Sequence, residues 1–269
     1  MRKGLFPIFR LICGGATLLS VLFIGGNVAV IAFRGASSLP ECLFDGETLF
    51  AVGLSVRTAS ISSLLCFALA IPTAYTLTRT RIPCRPAVEV ILELTLSLPY
   101  IVLGLSLLII FASPLGKAIK AGGFPVVFSP NGIVIAQLAV NLPFAIKLAV
   151  TAFKGVDRKL ERVAGLLGAT PGRCFLTVLL PLCRNALISA FILVWSRALG
   201  EFGATLMLVG VTRMKTETLP ASIYLNVSTG DLGTALASAF ILLVISVLSL
   251  TLANVLTRSG VGRLRYDEH

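Results

Sequence analysis

The chain has 269 residues, 56% hydrophobic and 13% charged, with a formal net charge of +11 and a mean hydropathy of +0.96. Soluble domains carry about 25% charged residues, and a water-soluble core of this length has no room for so much apolar surface. Soluble enzymes, disordered chains and disulfide-stapled secreted scaffolds are therefore excluded.

An apolar run crosses a bilayer at roughly 20 residues with ~1.5 Å rise each. Six such runs follow in order: Leu11–Phe33, Leu54–Thr78, Val88–Phe111, Gly132–Ala152, Ala186–Gly210 and Leu232–Leu256. No ten-residue alternation of the β-barrel kind is present. Lipid offers backbone groups no hydrogen-bond partner, so the spans read as helices, and the fold class is all-α with six transmembrane helices. The first run has 23 residues, longer than the roughly 7–15-residue core of a signal peptide, and no clear A-x-A site follows it, so it reads as a retained span. Pro72, Pro99 and Pro143 lie within the second, third and fourth runs, where each permits a kink. Gly104, Gly200, Gly203 and Gly210 allow close approach or hinging, although Gly and Pro are also ordinary in membrane helices.

The basic residues divide unevenly between the two sides. Fifteen of the 23 Lys and Arg fall on the side of the N-terminus, the second and fourth connections and the C-terminal tail. Arg34, Arg57, Lys117, Lys120, Arg213 and Lys215 fall on the other, and Lys147 and Arg197 lie within spans. The positive-inside rule then places both termini in the cytoplasm. It explains the charge by orientation, with no nucleic-acid partner. Of the six cysteines only Cys42 is on the outer side; no C-x-x-C occurs, and the single histidine is His269. A disulfide framework, a metal site and histidine catalysis are not indicated.

The fourth connection, 153–185, is long, basic and not of low complexity. Leu160, Val163, Ala164 and Leu167 follow i, i+3, i+4, i+7 spacing and line one face of a short helix. Gly168 ends that helix in a left-handed cap, Pro171 prevents its early continuation, and a second apolar stretch, Phe175–Leu180, runs to Pro181. The amphipathic face suits either a helix lying on lipid or one that docks a soluble partner.

This loop resembles the cytoplasmic signature of ABC-importer permeases: Glu-Ala-Ala, three residues, Gly, nine residues, Ile-x-Leu-Pro. Gly168 takes the fixed glycine, with Val178, Leu180 and Pro181 at the later positions. Arg162 and Val163 replace the Glu and first Ala, only Ala164 matches, and Glu161 falls one residue early. The stretches LSVRTASISSLLCFALAIPTAYTLTRTRIP, LSLPYIVLGLSLLIIF, AQLAVNLPFAIKLAVTAFKGVD and RALGEFGATLMLVG, then KTETLPASIYLNVSTGD, are similar to molybdate/tungstate permeases. Sulfate permeases share the Gly-Glu-aromatic-Gly motif.

The resemblance implies a type I ABC-importer permease fold. Residues 1–50 would hold the tail, first span and first outer loop, 51–257 the permease domain with its coupling loop, and 258–269 a basic cytoplasmic tail. It further implies a homodimer enclosing the path, two ATPase subunits and an extracellular or periplasmic oxyanion-binding protein. Asp157, Leu160, Glu161, Val163, Ala164, Leu167, Gly168, Ala169 and Pro181 would dock the ATPase. The chain lacks G-x-x-x-x-G-K-[ST], since Gly116-Lys117 is followed by Ala. It is therefore expected to bind no cofactor and not to be an enzyme itself, leaving ATP and Mg to the partner.

Charges within the spans need a reason, at about 2.5–3.5 kcal/mol each on insertion scales. Glu93 and Lys147 lie equally deep from the inner ends of the third and fourth spans, which fits either an ion pair between adjacent helices or separate snorkelling. Arg197 and Glu201 are i, i+4 on the fifth span, with Asn141 at comparable depth on the fourth. Guanidinium and amide donors suit a tetrahedral oxyanion, so these three are candidates for the translocation path. A helix-packing ion pair is the competing role. Among other functions, a sulfate permease of the same family shares these features. An autonomous secondary transporter would show inverted repeats and titratable relays, and a membrane enzyme would need clustered acids or a usable histidine.

Overall fold

The computed structural model describes residues 5–42, 45–80, 82–83 and 85–264. Of the basic residues and cysteines counted above, Arg2, Lys3, Arg81, Cys84 and Arg265 lie outside this set, as do His269 and the side chains of Arg258 and Arg263. The described residues form helices and connections, with no strand among them. In order these are α1 (Leu5–Cys42), α2 (Gly46–Arg79), α3 (Arg85–Ser97), α4 (Tyr100–Ala112), α5 (Pro114–Ala121), α6 (Pro130–Lys154) and α7 (Arg158–Leu166). Then come α8 (Pro171–Cys174), a π turn (Phe175–Leu179), α9 (Leu180–Leu199), α10 (Gly203–Val209), α11 (Leu219–Ser228) and α12 (Leu232–Leu264). Five helices among the described residues are long and apolar enough to cross a membrane, or six if the bent pair α3–α4 is one span.

The bundle is built on α2, α6 and α9. The buried face of α2 carries Ala51, Ser55, Ala59, Ser62, Cys66, Ala70 and Ala74, small residues at helical spacing that let backbones approach closely. Against Cys66, Ala70 and Ala74 pack Ala145, Ile146, Ala149 and Phe153 of α6 and Cys183, Leu187, Ala190 and Val194 of α9. α12 covers α9 and also contacts α1 and α11. The apolar stretch of α1 is almost wholly uncovered, and its approach to α12 is made at Gly35, where a Cβ would lie 2.5 Å from Phe240 Cβ.

Two of the expected spans differ. Val88–Phe111 is not one helix, because α3 and α4 meet at a 108° bend around Leu98–Pro99. Pro99 lacks the N–H that would continue the ladder, and the residue before a proline is pushed away from helical geometry. Pro72 and Pro143, by contrast, stay inside the continuous α2 and α6. The fifth span was expected at Ala186–Gly210, but one helix runs Pro171–Leu199 and breaks at Gly200–Phe202 before the short α10. Pro171 also starts the next helix at its first position, where its missing N–H costs nothing, behind Thr170, whose hydroxyl accepts from the Arg173 N–H at 3.4 Å. Pro181 is accommodated by the π turn, in which Leu180 N–H bonds five residues back to Phe175. The long connection 153–185 thus shrinks to the excursion between Lys154 and Pro171.

The two breaks abut. α4 packs on α10 with Gly104 against Ala204, where an added Cβ would lie 2.6 Å from the Ala204 carbonyl oxygen and 2.8 Å from Met207 Cβ. Overpacking of this kind costs about 1–3 kcal/mol. Gly104→Val is expected to lower the thermal unfolding midpoint of the detergent-solubilised protein by several degrees. An unchanged midpoint would mean that α4 and α10 do not touch.

Candidate functional site

The first candidate region is the excursion around α7. Asp157 caps this helix, its carboxylate accepting from the Lys159 N–H at 2.9 Å, and Gly168 ends the turn beyond it at φ +88°, the left-handed geometry expected for it. On the inner face Glu161 pairs with Arg79 at the end of α2, at 2.8 Å, with side chains 16% and 7% exposed. Arg79 also donates to the carbonyls of Phe153 (2.9 Å) and Val156 (3.3 Å), and Arg158 donates to the Thr78 carbonyl. Two arginines thus tie α7 to the ends of α2 and α6. Beneath it Phe175 of the π turn stacks edge-on to Tyr75 (5.1 Å) and Phe153 (6.2 Å).

The outer face of α7 is apolar and open. Leu160, Val163, Leu166 and Leu167 are exposed, the last two by 88% and 84%. Ala164, expected on this face, is half-buried with Glu161 and Ala169 on the inner side, and Leu166 takes its place outward. Pro181, expected in the docking loop, lies within the long helix that follows it.

The second region is where the two breaks meet. Arg197, in the last turn of α9, donates to Tyr100 Oη at the start of α4. Its guanidinium carbon lies 5.4 Å from the Tyr100 ring centroid and 5.0 Å from that of Phe144 on α6, within cation–π range. Its Nε is buried without a partner. Glu201 does not pair with Arg197: no salt bridge within 4 Å joins them among the described residues. The helix ends at Leu199, so the i, i+4 register is lost, and Glu201 instead accepts from the Ala204 N–H at 2.7 Å, capping α10. Asn141 is fully buried, donating to the Gln137 carbonyl at 2.8 Å while its Oδ1 has no partner. Glu93 and Lys147 do approach, at 3.8 Å, but their side chains are 68% and 63% exposed, so the pair adds at most about 1 kcal/mol.

Comparison with known proteins places this geometry. Residues 67–259 match the family described as binding-protein-dependent transport system inner membrane component. The chain belongs to that family. It is a multi-pass membrane permease. Over 212 residues, 78% of this chain and 79% of the relative, it is 36% identical to the molybdenum transport system permease protein ModB of Mycobacterium tuberculosis. It is 35% identical over 246 residues (91% and 88%) to a probable molybdenum ABC transporter permease protein of Haloferax volcanii. To the molybdate/tungstate transport system permease protein WtpB of Thermococcus kodakarensis it is 33% identical over 190 residues (70% and 72%). The fold resembles a chain of a bacterial ABC transporter involved in the import of the acidic polysaccharide alginate, with TM-score 0.70 at 15% identity over 94% of this chain and 95% of that one. A chain of the MetNI methionine ABC transporter in an inward-facing conformation gives TM-score 0.57 at 17% identity over 81% and 95%.

Sequence reasoning missed three residues of this permease. Gln137 is buried at the crossing of three helices: its amide donates to the Ala198 carbonyl (2.9 Å) and lies 3.4 Å from Thr58 Oγ1, while its carbonyl accepts from Ser62 (3.0 Å). An amide in the middle of an apolar run was the available signal. Arg79 was counted for orientation alone, and Tyr100 gave no signal until the Pro99 break set it beside Arg197. Removing one partner of a buried ion pair strands the other and costs about 3–5 kcal/mol. Glu161→Gln and Arg79→Gln are each expected to destabilise the permease in a thermal melt and to expose the α7 segment to protease. The exchange Arg79→Glu with Glu161→Arg should regain part of the loss, and equal sensitivity of the double variant would count against the pair.

Proposed function

We propose that this chain is the permease subunit of an ATP-driven importer of molybdate, with tungstate carried by the same path. The observation that carries the reading is the shared naming of relatives at 33–36% identity over most of the chain, from Mycobacterium, Haloferax and Thermococcus. In this reading the α3–α4 pair counts as one span, giving six, and both termini are cytoplasmic, in keeping with the side on which the basic residues collect. The permease acts as a homodimer that encloses the path. Two ATPase subunits sit on the cytoplasmic face and supply ATP and Mg chemistry, and this chain binds no cofactor. An extracellular or periplasmic protein delivers the oxyanion, as the bacterial alginate ABC transporter stands in complex with an alginate pentasaccharide-bound periplasmic protein.

α7 is the element on which each ATPase docks, through Leu160, Val163, Leu166 and Leu167. Burying a leucine contributes about 1.5–3 kcal/mol, enough for four such side chains to hold a partner against the cost of association. Movement of α7 reaches α2 through the Glu161–Arg79 pair and α6 through the Phe153 carbonyl. Gln137 on α6 is bonded to the Ala198 carbonyl beside Arg197, so the chain of contacts ends at the broken helices. There Arg197 and Tyr100, with the second amide hydrogen of Asn141, supply donors for a tetrahedral oxyanion, and alternating access opens the cavity first outward under the loaded binding protein and then inward.

Three outcomes test this. With the ATPase and binding protein reconstituted, molybdate- and tungstate-loaded binding protein should stimulate ATP hydrolysis several-fold and sulfate-loaded protein should not; equal stimulation by sulfate would overturn the substrate assignment. Leu167→Asp is expected to cut co-purification of the ATPase at least tenfold while the permease still inserts, and a retained complex would remove the docking role. Arg197→Gln should lower transport at least tenfold with the ATPase still bound, and intact transport would exclude Arg197 from the path.

A further inference from the structure

Behind α7, on the side away from its exposed leucines, lies a cavity of about 570 Å³ lined by Arg79, Arg158, Arg162, Glu161, Tyr75 and Cys174, among others. The charges do not cancel. Glu161 is committed to Arg79 at 2.8 Å, so that pair forms a neutral wall. Arg158 and Arg162 have no carboxylate within 4 Å among the described residues. The Nε of Arg79, whose side chain is only 7% exposed, is buried without a hydrogen-bond partner, and so is the Oε1 of Glu161, whose charge the Arg79 ion pair offsets. Two uncompensated guanidiniums beside a buried, unsatisfied N–H make a donor set for a multi-oxygen anion, because the guanidinium fork matches phosphate oxygens.

Position narrows the ligand. The cavity opens where α2 leaves the span, at the level of Tyr75 and Arg79, and basic recesses between helix ends on the cytoplasmic side are where anionic headgroups bind. Residues 158, 162 and 165 face the cavity, whereas Leu160, Val163 and Leu167 project about half a turn away at 3.6 residues per turn and Leu166 stands at the border between the two faces.

We propose that this cavity is a binding site for a phosphate group, supplied either by an anionic phospholipid headgroup or by free phosphate, and held by Arg158 and Arg162 against the Arg79–Glu161 wall. Occupancy would brace α7 against the end of α2, so the ligand would stiffen the link between docking surface and bundle. The proposal rests on the orientation given above for the cytoplasmic face.

The experiment uses the permease purified with its ATPase and stripped of lipid. Phosphatidylglycerol and phosphatidylcholine are titrated separately in native mass spectrometry, and inorganic phosphate in a thermal-shift assay. Retention of phosphatidylglycerol over phosphatidylcholine supports the headgroup, and stabilisation by millimolar phosphate supports the free anion. In either arm Arg158→Gln with Arg162→Gln should weaken binding at least tenfold, whereas Arg173→Gln with Arg184→Gln, exposed and outside the cavity, should not. Arg162→Gln alone keeps the test valid if the double variant unfolds, because Arg162 is exposed and tied to no other helix by an ion pair. No preference for either probe, or binding insensitive to the Arg162 change, overturns the site. The readout needs no transport, so its failure leaves the importer reading standing, while loss of ATPase co-purification would damage that reading without touching this one.

Discussion

In hydrocarbon every backbone N–H and C=O must find its partner within the protein, and the arrangement of this permease follows from that requirement. Long helices satisfy it by themselves. A helix that breaks inside the bundle does not, so the break must be covered. Here the two breaks, at Leu98–Pro99 and Gly200–Phe202, are packed on one another. Glu201 caps α10, Gly104 lets the α4 and α10 backbones close on each other, and Tyr100 receives Arg197. One polar cluster obeys the same rule. Gln137, Ser62 and Thr58 bond one another inside the α2–α6–α9 contact, where a lipid-facing amide would be left unpaired.

The second organising feature is the buried Arg79–Glu161 pair. Such pairs add little net stability compared with apolar packing, but losing one member is costly. That asymmetry suits a mechanical link, because α7 cannot drift from α2 without exposing a stranded charge. The same helix separates its tasks by face, with Glu161 and Ala164 turned inward and the leucines outward. A force applied to the leucines therefore arrives at the ends of α2 and α6, the two helices whose small-residue contact forms the centre of the bundle.

Much of this was legible in the sequence because its signals are local. Span length and apolarity located α1, α2, α6 and α12. The left-handed geometry that glycine accepts located the end of the turn after α7 at Gly168. Equal depth of Glu93 and Lys147 foretold their approach. What escaped depended on tertiary context. Pro72, Pro99 and Pro143 carry the same local penalty, yet a sharp break is found only at Pro99, where α10 packs beside it. Pro181 lies in a helix because a π turn absorbs it. The fifth span therefore begins some fifteen residues early by the helical bounds, and Arg197 comes to the end of a helix instead of its middle. That shift dissolved the Arg197–Glu201 pairing, which depended on an unbroken register. The apolar face of α7 was expected to include Ala164, which instead turns toward the side of Glu161, whose Arg79 partner is far away in sequence.

The claim that this chain works only as part of an ATP-driven importer is tested most directly by uptake of radiolabelled molybdate into proteoliposomes. The vesicles would hold the permease with its ATPase, or the permease alone, with the loaded binding protein outside and ionophores added to collapse ion gradients. Accumulation that requires the ATPase and internal ATP and persists with the ionophores is the predicted result. Uptake by the permease alone that an ionophore abolishes would contradict the account and make the chain a secondary transporter.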